Sequence, residues 1–103
     1  DVPTAPPEHE PNFWLTVACV DADRFGATPA EICDHLGTLD IEARPTWKPM
    51  HLQPLYADHP CVGGEVAEQV FHTGICLPSG SAMVDADQDR VIEAAVALAG
   101  RHA

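Results

Sequence analysis

A guanidinium, an indole, an ammonium, a thioether and an imidazole fall within one short stretch, at Arg44, Trp47, Lys48, Met50 and His51. Arg44 offers a forked donor and Lys48 a point charge for carboxylate or phosphate oxygens. Trp47 offers a flat apolar wall, and His51 a donor or acceptor. Such a set suits an anionic ligand that carries a ring. Pro45, Pro49 and Pro54 stiffen the stretch and bias the residues before them, Arg44, Lys48 and Gln53, towards extended backbone. A purely structural account competes with this one: Arg44 would pair with a surface carboxylate such as Glu42, His51 would be solvated, and Trp47 would cap the core. Met50 and Leu52 alternate with polar positions and are expected to pack beneath the loop.

Other reactive residues carry less. Ser79 and Ser81 flank a glycine, but Ser-Gly-Ser lacks the Gly-x-Ser-x-Gly elbow of a nucleophile and reads as a turn. Asp85, Asp87 and Asp89 lack the glycine and closing glutamate of a calcium loop, and acids at a helix start answer the helix dipole. The histidines His9, His35, His59, His72 and His102 are scattered, so no metal site is expected. Cys19, Cys33, Cys61 and Cys76 show no zinc spacing; Cys19, Cys33 and Cys76 sit in apolar patterns and are expected to be free thiols.

The order Arg-Pro-x-Trp-Lys-Pro-Met-His-Leu-Gln-Pro over residues 44–54, with Ile41-Glu42-Ala43 before it, resembles the DegT/DnrJ/EryC1/StrS family of pyridoxal-phosphate-dependent sugar aminotransferases. The resemblance is to the C-terminal domain of its nucleotide-sugar branch. Gly74-Ile75-Cys76-Leu77-Pro78-Ser79-Gly80-Ser81 is a second match and Asn12-Phe13-Trp14-Leu15 a third, so the likeness runs from about residue 12 to about residue 99. It departs from the family at Val84 and Gln88, which affect only the last helix. The resemblance implies transfer of an amino group from L-glutamate to a nucleotide-linked keto-sugar, in cell-surface polysaccharide biosynthesis. It implies a cytoplasmic homodimer. It also implies that Arg44, Trp47, Lys48, Met50 and His51 form one wall of the substrate site.

Pyridoxal 5'-phosphate needs a lysine to form its Schiff base, and Lys48 is the chain's sole lysine. The family's cofactor lysine lies in a large N-terminal domain with no counterpart here. Lys48, set between Trp47 and Pro49 in an exposed loop, is not expected to be catalytic. The chain is therefore expected to be part of a longer enzyme and inactive alone. The alternative is a free-standing acidic α/β module that binds an anionic small molecule or a protein through the same loop.

The formal net charge of −11, from sixteen acids against five Lys plus Arg, argues against nucleic acid and anionic membrane surfaces as partners. No basic recognition helix is present, and no apolar run reaches the length of a membrane span. At 103 residues, 46% apolar, the chain can hold one core. Residues 1–11, rich in proline and acid, read as a linker, leaving residues 12–103 as the domain.

The elements that must position the focal stretch follow in order. Residues 13–20 read as a strand buried on both faces, with Phe13, Leu15, Val17 and Cys19 on one side. Residues 21–27 read as a loop. Thr28-Pro29-Ala30-Glu31 starts a helix with a capping box, and Gly37 should stop it. Residues 41–47 are expected to be extended, and residues 55–64 to form a mobile loop. Helix 65–72 precedes a short strand at 75–77. A last helix should be capped by Asp85 with Gln88, with Val91, Ile92, Ala95, Val96 and Ala99 as its apolar stripe and Gly100 as its end. Alternating strands and helices, with the helices on one face, predict an α/β or α+β two-layer sandwich, the kind of small C-terminal domain found in fold-type I aminotransferases.

Overall fold

The computed structural model describes residues 1–100; Arg101, His102 and Ala103 lie outside the described residues. Strand β1 (Thr16–Cys19) is shorter and more open than its apolar run predicts. Val17, Ala18 and Cys19 are half-buried, whereas Phe13 and Trp14 are 80% and 68% exposed. Phe13 takes φ 51°, a left-handed backbone incompatible with a strand, so the chain turns outward before Thr16. Asp1 exchanges two backbone hydrogen bonds with Cys19, at 2.8 and 2.7 Å, along the outer edge of β1.

The expected loop at 21–27 contains a single turn, α1 (Ala22–Phe25). The Asp21 carboxylate accepts from the Arg24 N–H at 3.1 Å, and Gly26 closes the turn at φ 90°. Helix α2 (Pro29–Thr38) starts as predicted. The Thr28 N–H donates to Glu31 Oε2 at 2.7 Å, and the Glu31 N–H to Thr28 Oγ1 at 3.3 Å.

Gly37, however, does not stop α2; the left-handed residue is Asp40, at φ 55°. The Asp40 N–H reaches the Gly37 carbonyl at 3.2 Å and the Ile41 N–H the Leu36 carbonyl at 3.0 Å. Those two bonds and the burial of Leu36 with Ile41 make a Schellman closure, which set the end of the helix by packing Ile41 inward.

Strand β2 (Arg44–Pro45) pairs only two residues of the expected extended segment, since Pro45 has no N–H to give. Two 3-10 turns follow, Met50–Leu52 and Pro54–Tyr56, separated by Gln53 in extended backbone. The focal stretch is thus extended only as far as Pro49. Helix α3 (Glu65–Thr73) runs without a loop into β3 (Gly74–Leu77).

The sheet has the order β1-β3-β2, and both pairings are antiparallel: Val17 lies opposite Cys76, and Arg44 opposite Cys76 from the other side. Antiparallel pairing makes the architecture α+β rather than α/β. Placing β2 at an edge explains how the sheet tolerates Pro45.

Val84, not Asp85, occupies the N-cap position of helix α4 (Asp85–Val96) and offers no capping side chain; the reaching side chain is Asp87, which accepts from the Val84 N–H at 3.1 Å. Its buried residues are Val91 and Ala94, a stripe continued past its end by Leu98, whereas Ile92 and Val96 are 51% and 57% exposed. α4 packs against α2, and that contact selects the buried face. The core joins Ala27, Ile32 and Leu36 to Ile41, Ile75 and this stripe.

Candidate functional site

The three motif segments, distant in the chain, meet at one surface. Residues 12–15, 40–45, Trp47 and 76–81, with Met83, Asp87, Arg90 and Val91 on the α4 side, line an open cleft of about 950 Å³. Ser79 Oγ donates to the Trp14 carbonyl at 3.0 Å and ties the first segment to the third. Trp14 and Trp47 tie the first to the second, with ring centroids 5.8 Å apart and planes tilted by 35°. Ser79 thus serves as a structural donor, just ahead of the turn closed by the Met83 N–H on the Gly80 carbonyl.

The five predicted site residues divide. Arg44 and Trp47 line the cleft; Lys48, Met50 and His51 do not. Arg44 makes the pairing foreseen in the structural account: its Nε and Nη2 lie 2.7 and 2.6 Å from Glu42 Oε1. Both side chains remain largely in solvent, so the pair is weak and open to exchange for another anion.

His51 is not solvated. Its Nε2 lies 2.8 Å from Glu68 Oε1 on α3, and its ring rests on Gly64. A Cβ at Gly64 would meet His51 Cε1 at 2.9 Å, and Gly64 has φ 119°, so this glycine serves both the turn and the ring.

Met50 is 57% exposed instead of packing beneath the loop, because the 3-10 turn replaces strand alternation there; Leu52 is half-buried. Gln53 Nε2 donates to the Lys48 carbonyl at 3.2 Å and holds the bend. Two residues missed by sequence reasoning, Trp14 and Arg90, also line the cleft. Arg90 donates to the Leu39 carbonyl at the end of α2. Trp14 was visible as part of a motif, but nothing local marked it as Trp47's neighbour.

The cleft wall carries Asp40, Glu42 and Asp87 against Arg44 and Arg90. Among the described residues no three His, Cys, Asp or Glu side chains cluster so as to hold a metal ion. The four cysteines are free thiols, with Cys61 exposed and the others half-buried. Burial pushes the Cys33 thiol above its ordinary range, helped by Asp34 and Cys76; burial alone does so for Cys76.

The residues do not fit pyridoxal phosphate. Lys48 is exposed and, among the described residues, forms no ion pair. Among the described residues no aspartate pairs with it, and the cleft is lined by no lysine at all.

The model of the DegT/DnrJ/EryC1/StrS aminotransferase family matches residues 1–96. EpsN of Bacillus subtilis, assigned by name as a pyridoxal phosphate-dependent aminotransferase, is 46% identical over 88 residues, covering 80% of this chain and 21% of its own length. GDP-perosamine synthase of Caulobacter vibrioides is 33% identical over 82 residues, covering 80% of this chain and 22% of its own. The crystal structure of the aminotransferase TlmJ from Streptoalloteichus hindustanus superposes with a TM-score of 0.73 at 23% identity, over 92% of this chain and 24% of that one. The apo form of Spr1654 from Streptococcus pneumoniae, assigned as a sugar aminotransferase, gives 0.66 at 24% identity, over 82% and 21%. The two structures share the fold of this domain. The chain spans about a fifth of the length of the curated relatives it matches. On the match over residues 1–96 and the identity to EpsN, this chain belongs to the DegT/DnrJ/EryC1/StrS aminotransferase family.

Proposed function

We propose that this chain is the small C-terminal domain, residues 12–103 behind a lead-in at 1–11, of a pyridoxal-phosphate-dependent nucleotide-sugar aminotransferase. In that reading a large domain, outside this chain, holds the cofactor and moves the protons. The amino group passes from L-glutamate to a keto-sugar on a nucleoside diphosphate, in a cytoplasmic homodimer. This domain contributes one wall of the substrate site. Arg44 and Trp47 face the ligand from the cleft, while Lys48, Met50 and His51 form the adjoining bend. The cofactor, when bound by the large domain, supplies the electron sink for amino transfer.

One observation carries the reading: three segments that each resemble the family converge on a single cleft. A domain with such a wall and no lysine suited to the cofactor makes sense as part of a site completed by the rest of a larger protein. The test is the absorbance of the full-length protein with pyridoxal phosphate and then L-glutamate. A visible cofactor band that shifts on adding glutamate is expected. A protein that takes up no cofactor would overturn the reading. The isolated 103-residue chain is expected to show no transamination; activity lost on Lys48→Ala would contradict the role given to the large domain.

A further inference from the structure

Trp14 and Trp47 are 68% and 64% exposed although they stand side by side, 5.8 Å between ring centroids. Two adjacent indoles left open to water form an exposed apolar surface. Their backbone settings are fixed. The Trp14 carbonyl is held by Ser79 Oγ at 3.0 Å and its N–H by Asn12 Oδ1 at 3.1 Å, while Trp47 follows Thr46, which is buried. Ring faces held by an ordered backbone bind with little further loss of freedom.

The charges near the rings say what kind of ligand fits. Asp40, Glu42 and Asp87 outnumber Arg44 and Arg90 in the cleft wall. Arg44 is paired with Glu42, and Arg90 with the Leu39 carbonyl. A phosphate laid in the cleft would meet more carboxylates than guanidiniums. A neutral planar ring with N–H groups on its edge would instead stack on an indole and donate to carboxylate or hydroxyl oxygens. Nucleobases have that chemistry. The relative named GDP-perosamine synthase has a nucleoside diphosphate in its named product.

We infer that the Trp14–Trp47 pair is the nucleobase platform of the site, with Ser79 as the positioning residue that holds Trp14 in place. The diphosphate and sugar extend away from the acidic wall. The inference rests on the nucleotide-sugar reading above and adds to it the part of the ligand that this domain grips.

Binding of GDP and of UDP to the full-length protein, read by tryptophan fluorescence and by calorimetry, tests it. Either nucleotide should quench the fluorescence. Trp14→Ala and Trp47→Ala should each weaken its binding by about tenfold or more, Trp47→Phe should keep most of it, and inorganic pyrophosphate should bind the variants as it binds the parent. Unchanged nucleotide affinity in both alanine variants would overturn the platform, as would a parent protein that binds neither nucleotide. Equal losses for pyrophosphate and nucleotide would also overturn it, since they would point to a disturbed fold rather than a lost stacking face. The glutamate-induced shift of the cofactor band separates the two proposals. A shift with no tryptophan effect leaves the enzyme reading standing without the platform; a tryptophan effect with no cofactor uptake does the reverse.

Discussion

Thr46 Oγ1 donates to the Val70 carbonyl at 2.8 Å, and that hydroxyl would lie 2.6 Å from a Cβ placed on Gly74. One buried threonine therefore joins the end of α3 to the residue after β2, at the point where α3 turns into the central strand. The joint leaves no room for a side chain at Gly74, whose added Cβ would also come within 2.4 Å of the Val70 carbonyl oxygen. The backbone would have to move.

Gly74→Ala is expected to destabilise the fold by about 3 kcal/mol, the range of an overpacked core. Thr46→Val, which keeps the shape and removes the hydroxyl, should cost about 1–2 kcal/mol, and Thr46→Ser should recover part of that. Chemical denaturation of the three variants checks the ranking. A Gly74→Ala protein as stable as its parent would contradict the close approach.

Neither of two residues near the end of α2 is the type its backbone favours. Gly37 is helical and exposed, with nothing within 4 Å of an added Cβ, whereas Asp40 holds φ 55°. Gly37→Ala should stabilise by about 0.5–1 kcal/mol, by restricting the unfolded chain. Asp40→Gly should stabilise by a similar amount, roughly 0.5–1 kcal/mol, by removing the left-handed penalty. Their effects should combine to raise the melting temperature; a fall in either variant would argue against this helix end.

Arg44 and His51 differ in what their removal does to the fold. The Arg44–Glu42 pair is exposed, so Arg44→Ala should change stability by less than about 0.5 kcal/mol. His51 is half-buried between Glu68 and Gly64, and His51→Ala should cost about 1–2 kcal/mol. On the function proposed above, a raised KM for the sugar nucleotide with unchanged melting is the expected signature of Arg44→Ala in the full-length protein. An unfolded Arg44→Ala variant would show that its pairing matters far more than the geometry allows.

The thiols give a pH dependence. Burial favours the neutral form of Cys33 and Cys76 and raises both folded values. Their contribution to stability is fully present below the ordinary thiol value, roughly 8.5, and is lost as pH rises through the higher folded values. At mildly alkaline pH, iodoacetamide should modify the exposed Cys61 first and Cys33 and Cys76 later, as mass spectrometry would read. Labelling of Cys33 as fast as Cys61 would contradict the burial.

Much of the local structure was legible. The Thr28–Glu31 capping box, the start of α3, the short strand before Pro78 and the extended bias of Gln53 all depend on residues within a few positions of one another. The end of α2 and the cap of α4 were not. Asp40 turned left-handed because Ile41 had to enter the core, and Asp87 served Val84 where Gln88 had been expected to serve Asp85.

The sequence by itself determined the acidic surface, the order of elements and the three family motifs, because composition and neighbouring residues suffice for these. Tertiary structure decided what those elements meet. Which face of α4 is buried follows from its packing on α2, and the antiparallel order β1-β3-β2 from which strands reach the centre. His51 finds Glu68, and Trp14 finds Trp47, across stretches of chain that carry no local mark of the partner. The candidate site is a product of those meetings. Its residue types are written locally, but the distance between two side chains far apart in sequence is set by the packing of everything between them.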